Sequence, residues 1–383
     1  MKESVIIIGP AHPLRGGLAS FNERLAKEFI QEKYDTSIYT FSLQYPSFLF
    51  PGTTQYSTEP KPNDISIFEK INSINPLNWI KIGYELKNKK PSIIIVRYWL
   101  PFMGPCLGTI LRIVKKNNHT KIICIADNIK PHENRMGDTS FTKYFVKPVD
   151  AFITMSEKVL SDLKYFSKKK AILTSHPLYD NFGTAISKEE SCKFLGINVE
   201  YKIVLFFGFI RKYKGLDLLL EAINILKNED YFKINKIKFL IAGEFYDDAK
   251  PYFDMIKKYQ IENFLIMKNE FVQDSDVKYY LSVADCVIQP YKNATQSGVT
   301  PLAYHFEKPM IVSNVGGLPT LVPPTVGLVC EPNALDISKN IREFFNENRN
   351  DMVENLKIEK KKFSWQNLVN AIVSLSKEKN NEL

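Results

Sequence analysis

Several signatures that would fix a specialised role are scarce or missing. The 383 residues hold only five cysteines, an odd number, at positions 106, 124, 192, 286 and 330. They are widely spaced and mostly within apolar runs, which argues against a disulfide framework or a thiolate metal site and predicts buried free thiols. No stretch approaches the roughly 20 uninterrupted apolar residues of a membrane-spanning helix. The opening Met1-Lys-Glu-Ser4 runs straight into a strand pattern without a signal-peptide profile. The expected location is therefore the cytoplasm, with peripheral attachment to the inner face of the plasma membrane as an extension of it. A basic helix, a zinc knuckle and an aromatic RNA-binding signature are all lacking, so nucleic acid is not an expected partner.

What is present is an ordinary globular composition, 44% hydrophobic and 24% charged, in a chain too long for one core. Two α/β domains of roughly 180 residues each are the default. Short β-branched runs alternate with helical periods: Ser4–Gly9, Thr36–Phe41, Ser92–Val96, Lys121–Ala126 and Ala151–Met155, then Lys202–Phe207, Lys238–Ala242, Phe264–Met267, Cys286–Ile288 and Met310–Ser313. Strands separated by helices predict parallel sheets covered on both faces. Turn formers from His176 to Thr184 mark the boundary. The expected division is residues 1–183, residues 184–358, and a C-terminal helix in 359–383 that packs back on the first domain, its capped start at Phe363-Ser-Trp-Gln-Asn-Leu368.

The net charge of +9 is unevenly placed. Residues 1–185 contain 25 Lys and Arg against 16 Asp and Glu, whereas residues 186–383 contain 26 against 26, so the whole excess lies in the first domain. It is either a solvated surface or an attraction to an anionic membrane or phosphorylated acceptor, with Lys115, Lys116 and Lys168–Lys170 as the expected contacts. The apolar segment Trp99–Leu111 is either a buried crossover helix or a surface for a lipid-linked acceptor.

Three segments carry chemistry. The loop after the first strand, Gly9–Asn22, has neither G-x-G-x-x-G nor a P-loop. Its Gly16-Gly17 pair is either a plain tight turn or a close backbone approach to a ligand. In Gly208-Phe-Ile-Arg-Lys-Tyr-Lys-Gly215, Arg211 and Lys214 follow a strand and precede a helix; they form either a diphosphate clamp or a solvated charge pair. From Gln289 to Gly317, small and hydroxyl residues between a strand and a short helix predict a phosphate cradle of backbone N–H groups.

Taken together, Gly16-Gly17, Gly208–Gly215, Ile241-Ala-Gly-Glu244 and the Gln296-Ser-Gly-Val … Lys308-Pro-Met-Ile-Val … Val315-Gly-Gly-Leu block resemble GT-B glycosyltransferases of family 4, the group 1 transferases. The resemblance covers nearly the whole chain. It implies an α/β protein of GT-B architecture, two Rossmann-like domains facing across a cleft. It also implies a UDP- or GDP-hexose held by the C-terminal domain, a glycan or polyprenyl-linked acceptor held mainly by the N-terminal one, and retention of configuration. No cofactor or metal is implied.

By the same resemblance Arg211 and Lys214 neutralise the leaving diphosphate. Gly16, Gly17, Gly208, Glu244, Gln296, Ser297, Gly298, Val299 and Thr300 surround the donor. The sequence departs from the family where a pair of glutamates eight positions apart is common, because Ala294 and Leu302 stand there. It departs again at Asp127-Asn128, where the family often has His-Asn or His-Asp. These two are expected on the acceptor or sugar side, and His132 with Glu133 is the expected catalytic histidine and its partner. Asp274-Ser-Asp276 matches a metal-binding D-x-D but precedes a helical pattern and is expected as an N-cap. His12 and His305 either line the cleft or are satisfied near turns. A nucleotide-sugar 2-epimerase of the same fold and a non-catalytic nucleotide-sugar scaffold stand as the rival functions.

Overall fold

The computed structural model describes residues 3–46, 54–130, 137–229, 231–294, 297–347 and 349–378. The chain forms two compact units, Met1–Pro177 with Ser364–Leu383, and Leu178–Phe363. The chain thus crosses between the units at 177/178 and 363/364.

In the first unit seven strands pair in the order β3-β2-β1-β4-β5-β6-β7, all parallel. They are β1 Ser4–Ile8, β2 Asp35–Leu43, β3 Ser66–Asn72, β4 Ile93–Tyr98, β5 Lys121–Ala126, β6 Ala151–Thr154 and β7 Ala171–Leu173. The central strands are runs of isoleucine and valine because helices cover both faces, so no position needs to be polar. In register, Ile7 lies beside both Ile38 and Ile95, and Ile95 beside Ile123. The segment after Trp99 becomes the helix Gly104–Lys115, with Cys106, Leu107, Ile110 and Leu111 fully buried. It is a crossover helix, and its apolar content is core.

The helix Trp365–Lys377 belongs to this first unit, where Trp365 packs on Phe21 of the helix Gly17–Gln31 with ring centroids 4.8 Å apart. Ser364 stands at its N-cap position without making a side-chain capping bond.

The second unit has six parallel strands in the order β10-β9-β8-β11-β12-β13: β8 Lys202–Phe207, β9 Ile237–Ala242, β10 Leu265–Lys268, β11 Cys286–Gln289, β12 Met310–Ser313 and β13 Gly327–Cys330. Val204 and Phe206 alternate onto one face against Leu219, Leu220, Ile223 and Leu226 of the helix Leu216–Lys227. All five cysteines are buried and free. Among the described residues no helix is long and apolar enough to cross a membrane.

β3, β7 and β13 are absent from the expected strand set, and all three are sheet edges. An edge strand has one neighbour and tolerates charge, as in Ser66-Ile-Phe-Glu-Lys-Ile-Asn72, or is too short to show a period, as in Ala171-Ile-Leu173.

Two glycines are required where the second sheet meets its turns. Gly243 has φ +145°, and a Cβ there would lie 2.2 Å from the Gly208 carbonyl oxygen; at Gly215, φ +68°, a Cβ would lie 1.9 Å from the Pro290 carbonyl oxygen. Gly215→Ala is expected to destabilise the second unit by roughly 2–4 kcal/mol, left-handed strain plus displaced backbone. Urea unfolding followed by hydrogen exchange on that unit measures it, and an unchanged midpoint would contradict the packing described.

Candidate functional site

The second unit concentrates its unusual chemistry at the carboxyl ends of β8, β9 and β11. β8 stops at Phe207, and Gly208 turns the chain with φ +88°. Beyond it Ile210 donates its N–H to the Glu244 carbonyl oxygen (2.8 Å), and Tyr246 N–H donates to the Ile210 carbonyl oxygen (3.0 Å), so the two loops are laced together. Arg211 starts a single 3₁₀ turn, Lys212–Lys214, that Gly215 ends. The Lys212 N–H donates to Asp247 Oδ2 at 2.6 Å, which fixes the outer side of that turn.

Lys214 folds back inside. It is 8% exposed, its ammonium lies 5.6 Å from the Tyr291 ring centroid, and it stands 3.1 Å from where a Cβ on Gly208 would be. Any side chain at 208 would crowd it. Among the described residues no carboxylate or hydrogen-bond acceptor of the protein meets this ammonium. Burial first, and then the neighbouring Arg211 cation, lower its pKa from the ordinary lysine range to about 8. A buried cation with another cation beside it costs stability unless an anion joins them, so the arrangement is suited to a diphosphate.

The cradle segment is fixed by a buried polar network. Gln289 Nε2 donates to Thr300 Oγ1 (3.1 Å), the Ser297 hydroxyl donates to Gln289 Oε1 (2.5 Å), and Thr300 Oγ1 donates to the same oxygen (3.2 Å). Tyr291 Oη lies 3.3 Å from Ser297 Oγ, which also accepts the Val299 N–H at 3.2 Å. The Ser297 and Thr300 side chains are therefore structural, holding Gly298 and Val299 at the start of the helix Val299–His305. Gln296 lies outside the described residues, as do His132 and Glu133.

Ala294 and Leu302 are buried, and Glu307, in a left-handed turn, pairs with Lys360 at 2.6 Å. Phe209 faces Tyr246 with centroids 4.2 Å apart and Phe271 at 6.0 Å, and Glu244 is buried beside this aromatic group on the β9 loop. The Arg211 guanidinium lies 5.0 Å from the Tyr246 ring centroid.

In the first unit Gly16, φ +100°, precedes the helix Gly17–Gln31. Its loop is held from several sides: Ala11 N–H donates to Thr40 Oγ1 (2.9 Å), His12 N–H to Glu23 Oε1 (2.7 Å), and Asn22 Nδ2 to the Pro10 carbonyl oxygen (2.8 Å). His12 Nε2 contacts the Glu59 carbonyl oxygen and His305 Nε2 that of Gly183, so both histidines are satisfied locally.

At the carboxyl end of β4, Arg97 donates from Nε to Asp127 Oδ2 (2.5 Å) and from Nη2 to Oδ1 (2.6 Å), while its guanidinium lies 3.9 Å from the Phe21 ring centroid. Arg97 is 2% exposed, and Nη1 has no partner among the described residues. Burial pushes the Asp127 carboxyl up, opposed by the Arg97 cation. His176 stands edge-on to Phe21 at 5.2 Å, and burial lowers it to about 4, keeping it neutral at physiological pH. Asn128 is half-buried next to Asp127. Sequence reasoning missed Arg97 and His176; the available signal was a lone arginine closing the run Ile93-Ile-Ile-Val96.

Asp276 stands at the N-terminus of the helix Val277–Val283 without a side-chain capping bond. Among the described residues no three His, Cys, Asp or Glu side chains converge on a metal position.

Residues 187–363 match the family model described as Glycosyl transferases group 1. Protein CapJ of Staphylococcus aureus is 27% identical over 175 residues, 46% of this chain and 41% of that protein, so the match spans under half the length of this curated relative. Among solved structures, WaaG, a glycosyltransferase involved in lipopolysaccharide biosynthesis, is similar with a TM-score of 0.71 at 13% identity, covering 97% of this chain and 100% of that one. HepE of Anabaena, solved in complex with UDP, gives 0.70 at 13% identity with the same coverage. The second unit thus carries the match to the group 1 family model, and the chain has the GT-B fold of two Rossmann-like domains.

The Arg97–Asp127 pair can be tested by itself. Asp127→Asn removes the counter-charge of a buried guanidinium and is expected to cost about 3–5 kcal/mol of first-unit stability, whereas Arg97→Met with Asp127→Leu recovers most of the loss. Denaturant titration of the single and double variants decides it; an Asp127→Asn variant as stable as the parent would contradict the pairing.

Proposed function

We propose that the protein is a retaining, metal-independent glycosyltransferase that moves a hexose from UDP- or GDP-hexose to a glycan or polyprenyl-linked acceptor in surface polysaccharide biosynthesis. The observation that carries this reading is Lys214, a buried ammonium with no protein counter-ion among the described residues and Arg211 beside it. Breaking the bond from the anomeric carbon to the diphosphate leaves a developing negative charge on the departing phosphate oxygen. Arg211 and Lys214 stabilise that charge, and it grows toward the transition state, so their binding energy lowers the barrier and does not merely tighten substrate.

In the retaining route the acceptor oxygen attacks the anomeric carbon from the face the phosphate leaves. The departing phosphate oxygen takes the acceptor hydroxyl proton. The new C–O bond forms as the old one breaks, and the nucleoside diphosphate departs with the proton. Gly208, Gly16 and Gly17 let backbone approach the diphosphate, and Glu244, Gln296 and the backbone of Gly298, Val299 and Thr300 line the donor, with the Ser297 and Thr300 side chains holding that segment in shape. Asp127 and Asn128 lie on the acceptor side, Asp127 acting through Arg97, and His132 with Glu133 serves the acceptor hydroxyl. The group 1 match over the second unit and the complex of HepE with UDP support the nucleotide-sugar donor, and the involvement of WaaG in lipopolysaccharide biosynthesis supports the polysaccharide setting.

Incubation with a panel of nucleotide sugars, with and without a glycan acceptor, tests the reading: product should need the acceptor, and epimerised donor without acceptor would contradict it. Arg211→Ala and Lys214→Ala should each slow transfer roughly a hundredfold or more, and near-normal turnover in both folded variants would sink the clamp. Transfer should survive chelation with EDTA, because the two cations supply the charge that a metal would otherwise provide; loss restored by Mg²⁺ would reverse that.

The Lys214 proton also sets a pH dependence. The charged form is the useful one, so kcat/KM of the free enzyme should fall as pH rises through about 8. Arg211→Gln removes a like charge and should move that limb upward. A flat profile through this range would show that Lys214 is not the group in question.

A further inference from the structure

The helix Pro76–Lys89 is apolar on two faces. Its inner face carries Ile82, Gly83 and Leu86, all buried, and a Cβ on Gly83 would stand 2.8 Å from Ile113 of the helix Gly104–Lys115. Its outer face carries Leu77, Ile80 and Tyr84, spaced three and four apart and so on one stripe. They are 77%, 43% and 49% exposed, and Ile74, just before the helix, extends the stripe at 49%. Among the described residues of the unit, nothing covers them.

Lysines rim this stripe. Lys81 and Lys87 fall on either side of it, the Lys87 ammonium 5.6 Å from the Tyr84 ring centroid, while Lys89, at the end of the helix, turns its ammonium to 5.0 Å from the Phe68 ring centroid on the adjoining strand. The one helix carboxylate, Glu85, is held by Lys70 (2.7 Å) and the Tyr39 hydroxyl (2.6 Å), which lowers its pKa against the rise that burial alone would bring; Glu69 is the exposed acid of the adjoining strand. The lysine clusters expected from sequence to serve this purpose are in part committed elsewhere. Lys115 pairs with Asp150 (2.8 Å), Lys170 with Glu378 (2.5 Å), and Lys169 donates to the Lys147 and Val149 carbonyl oxygens.

We propose that the outer face of Pro76–Lys89 docks the protein on an anionic lipid surface, with Leu77, Ile80 and Tyr84 entering the headgroup boundary and the flanking lysines snorkelling to lipid phosphates. Charge decides for lipid over a second copy of this chain. A two-fold pairing through the stripe sets lysine against lysine, whereas anionic headgroups neutralise the same rim. The proposal takes its purpose from the polyprenyl-linked acceptor, but vesicle binding reads it without turnover.

The full-length protein is sedimented with vesicles of phosphatidylcholine alone and of phosphatidylcholine with phosphatidylglycerol, at low and high salt. Binding is expected only to the mixed vesicles, with release at high salt. The triple variant Leu77→Gln/Ile80→Gln/Tyr84→Ser should bind at least about tenfold more weakly, and Lys81→Glu/Lys87→Glu/Lys89→Glu about a hundredfold. Lys116→Glu/Lys168→Glu should bind like the parent. Equal binding to both vesicle types, no binding, or binding untouched by the stripe variant would overturn the proposal, as would a parent dimer that the stripe variant dissolves. Turnover of a lipid-free acceptor by the parent keeps the two readings apart: if the parent transfers sugar yet never binds vesicles, docking alone fails, and if it binds the mixed vesicles but transfers no sugar, the transferase reading alone fails.

Discussion

The second unit turns on the close approach of Lys214 to Gly208. The ammonium packs against the end of β8 where a side chain on residue 208 would crowd it, and the turn that carries Lys214 can close only because Gly215 fits against the Pro290 carbonyl oxygen. Gly243 meets the Gly208 carbonyl oxygen from the β9 side. Three backbone contacts thus fix a cation whose burial no acid among the described residues offsets. Positions that combine desolvation with an absent partner are costly to a fold and are kept where a ligand completes them.

Around that cation, rigidity comes from groups that do no chemistry. Gln289, Thr300, Ser297 and Tyr291 satisfy one another in a buried network, so the backbone from 297 to 300 is held without strain. The first unit follows the same logic with a different solution, because Arg97 is neutralised by Asp127 and stacked on Phe21, with neutral His176 across the ring. Among the described residues, one unit leaves its cation without an acid and the other closes it with Asp127.

Much of this was legible in the sequence. The interior strands read directly from their β-branched runs, since parallel strands covered on both faces leave no polar alternation to confuse the pattern. The edge strands β3, β7 and β13 did not, because edges are short or charged. Arg211 and Lys214 could be singled out between two glycines at a strand-to-helix turn, but which of them was buried depended on Gly208 lying across from Lys214, a relation that sequence spacing does not contain. The apolar segment after Trp99 was ambiguous between core and surface, and packing resolved it to core, whereas the exposed stripe of Pro76–Lys89 was hidden by the apolar residues on the helix's other face. Arg97 and His176 lie 79 positions apart, and both pack on Phe21.

The central claim is that Lys214 is a desolvated cation awaiting a diphosphate. Its side-chain titration, followed by NMR in protein carrying labelled lysine, tests this most directly when compared between the free protein and the protein saturated with UDP or GDP. The account predicts an inflection near pH 8 in the free protein and a rise of at least about one to two units on binding, as an opposite charge replaces an empty one. An ordinary lysine titration in the free protein, or one that nucleoside diphosphate leaves in place, would contradict it.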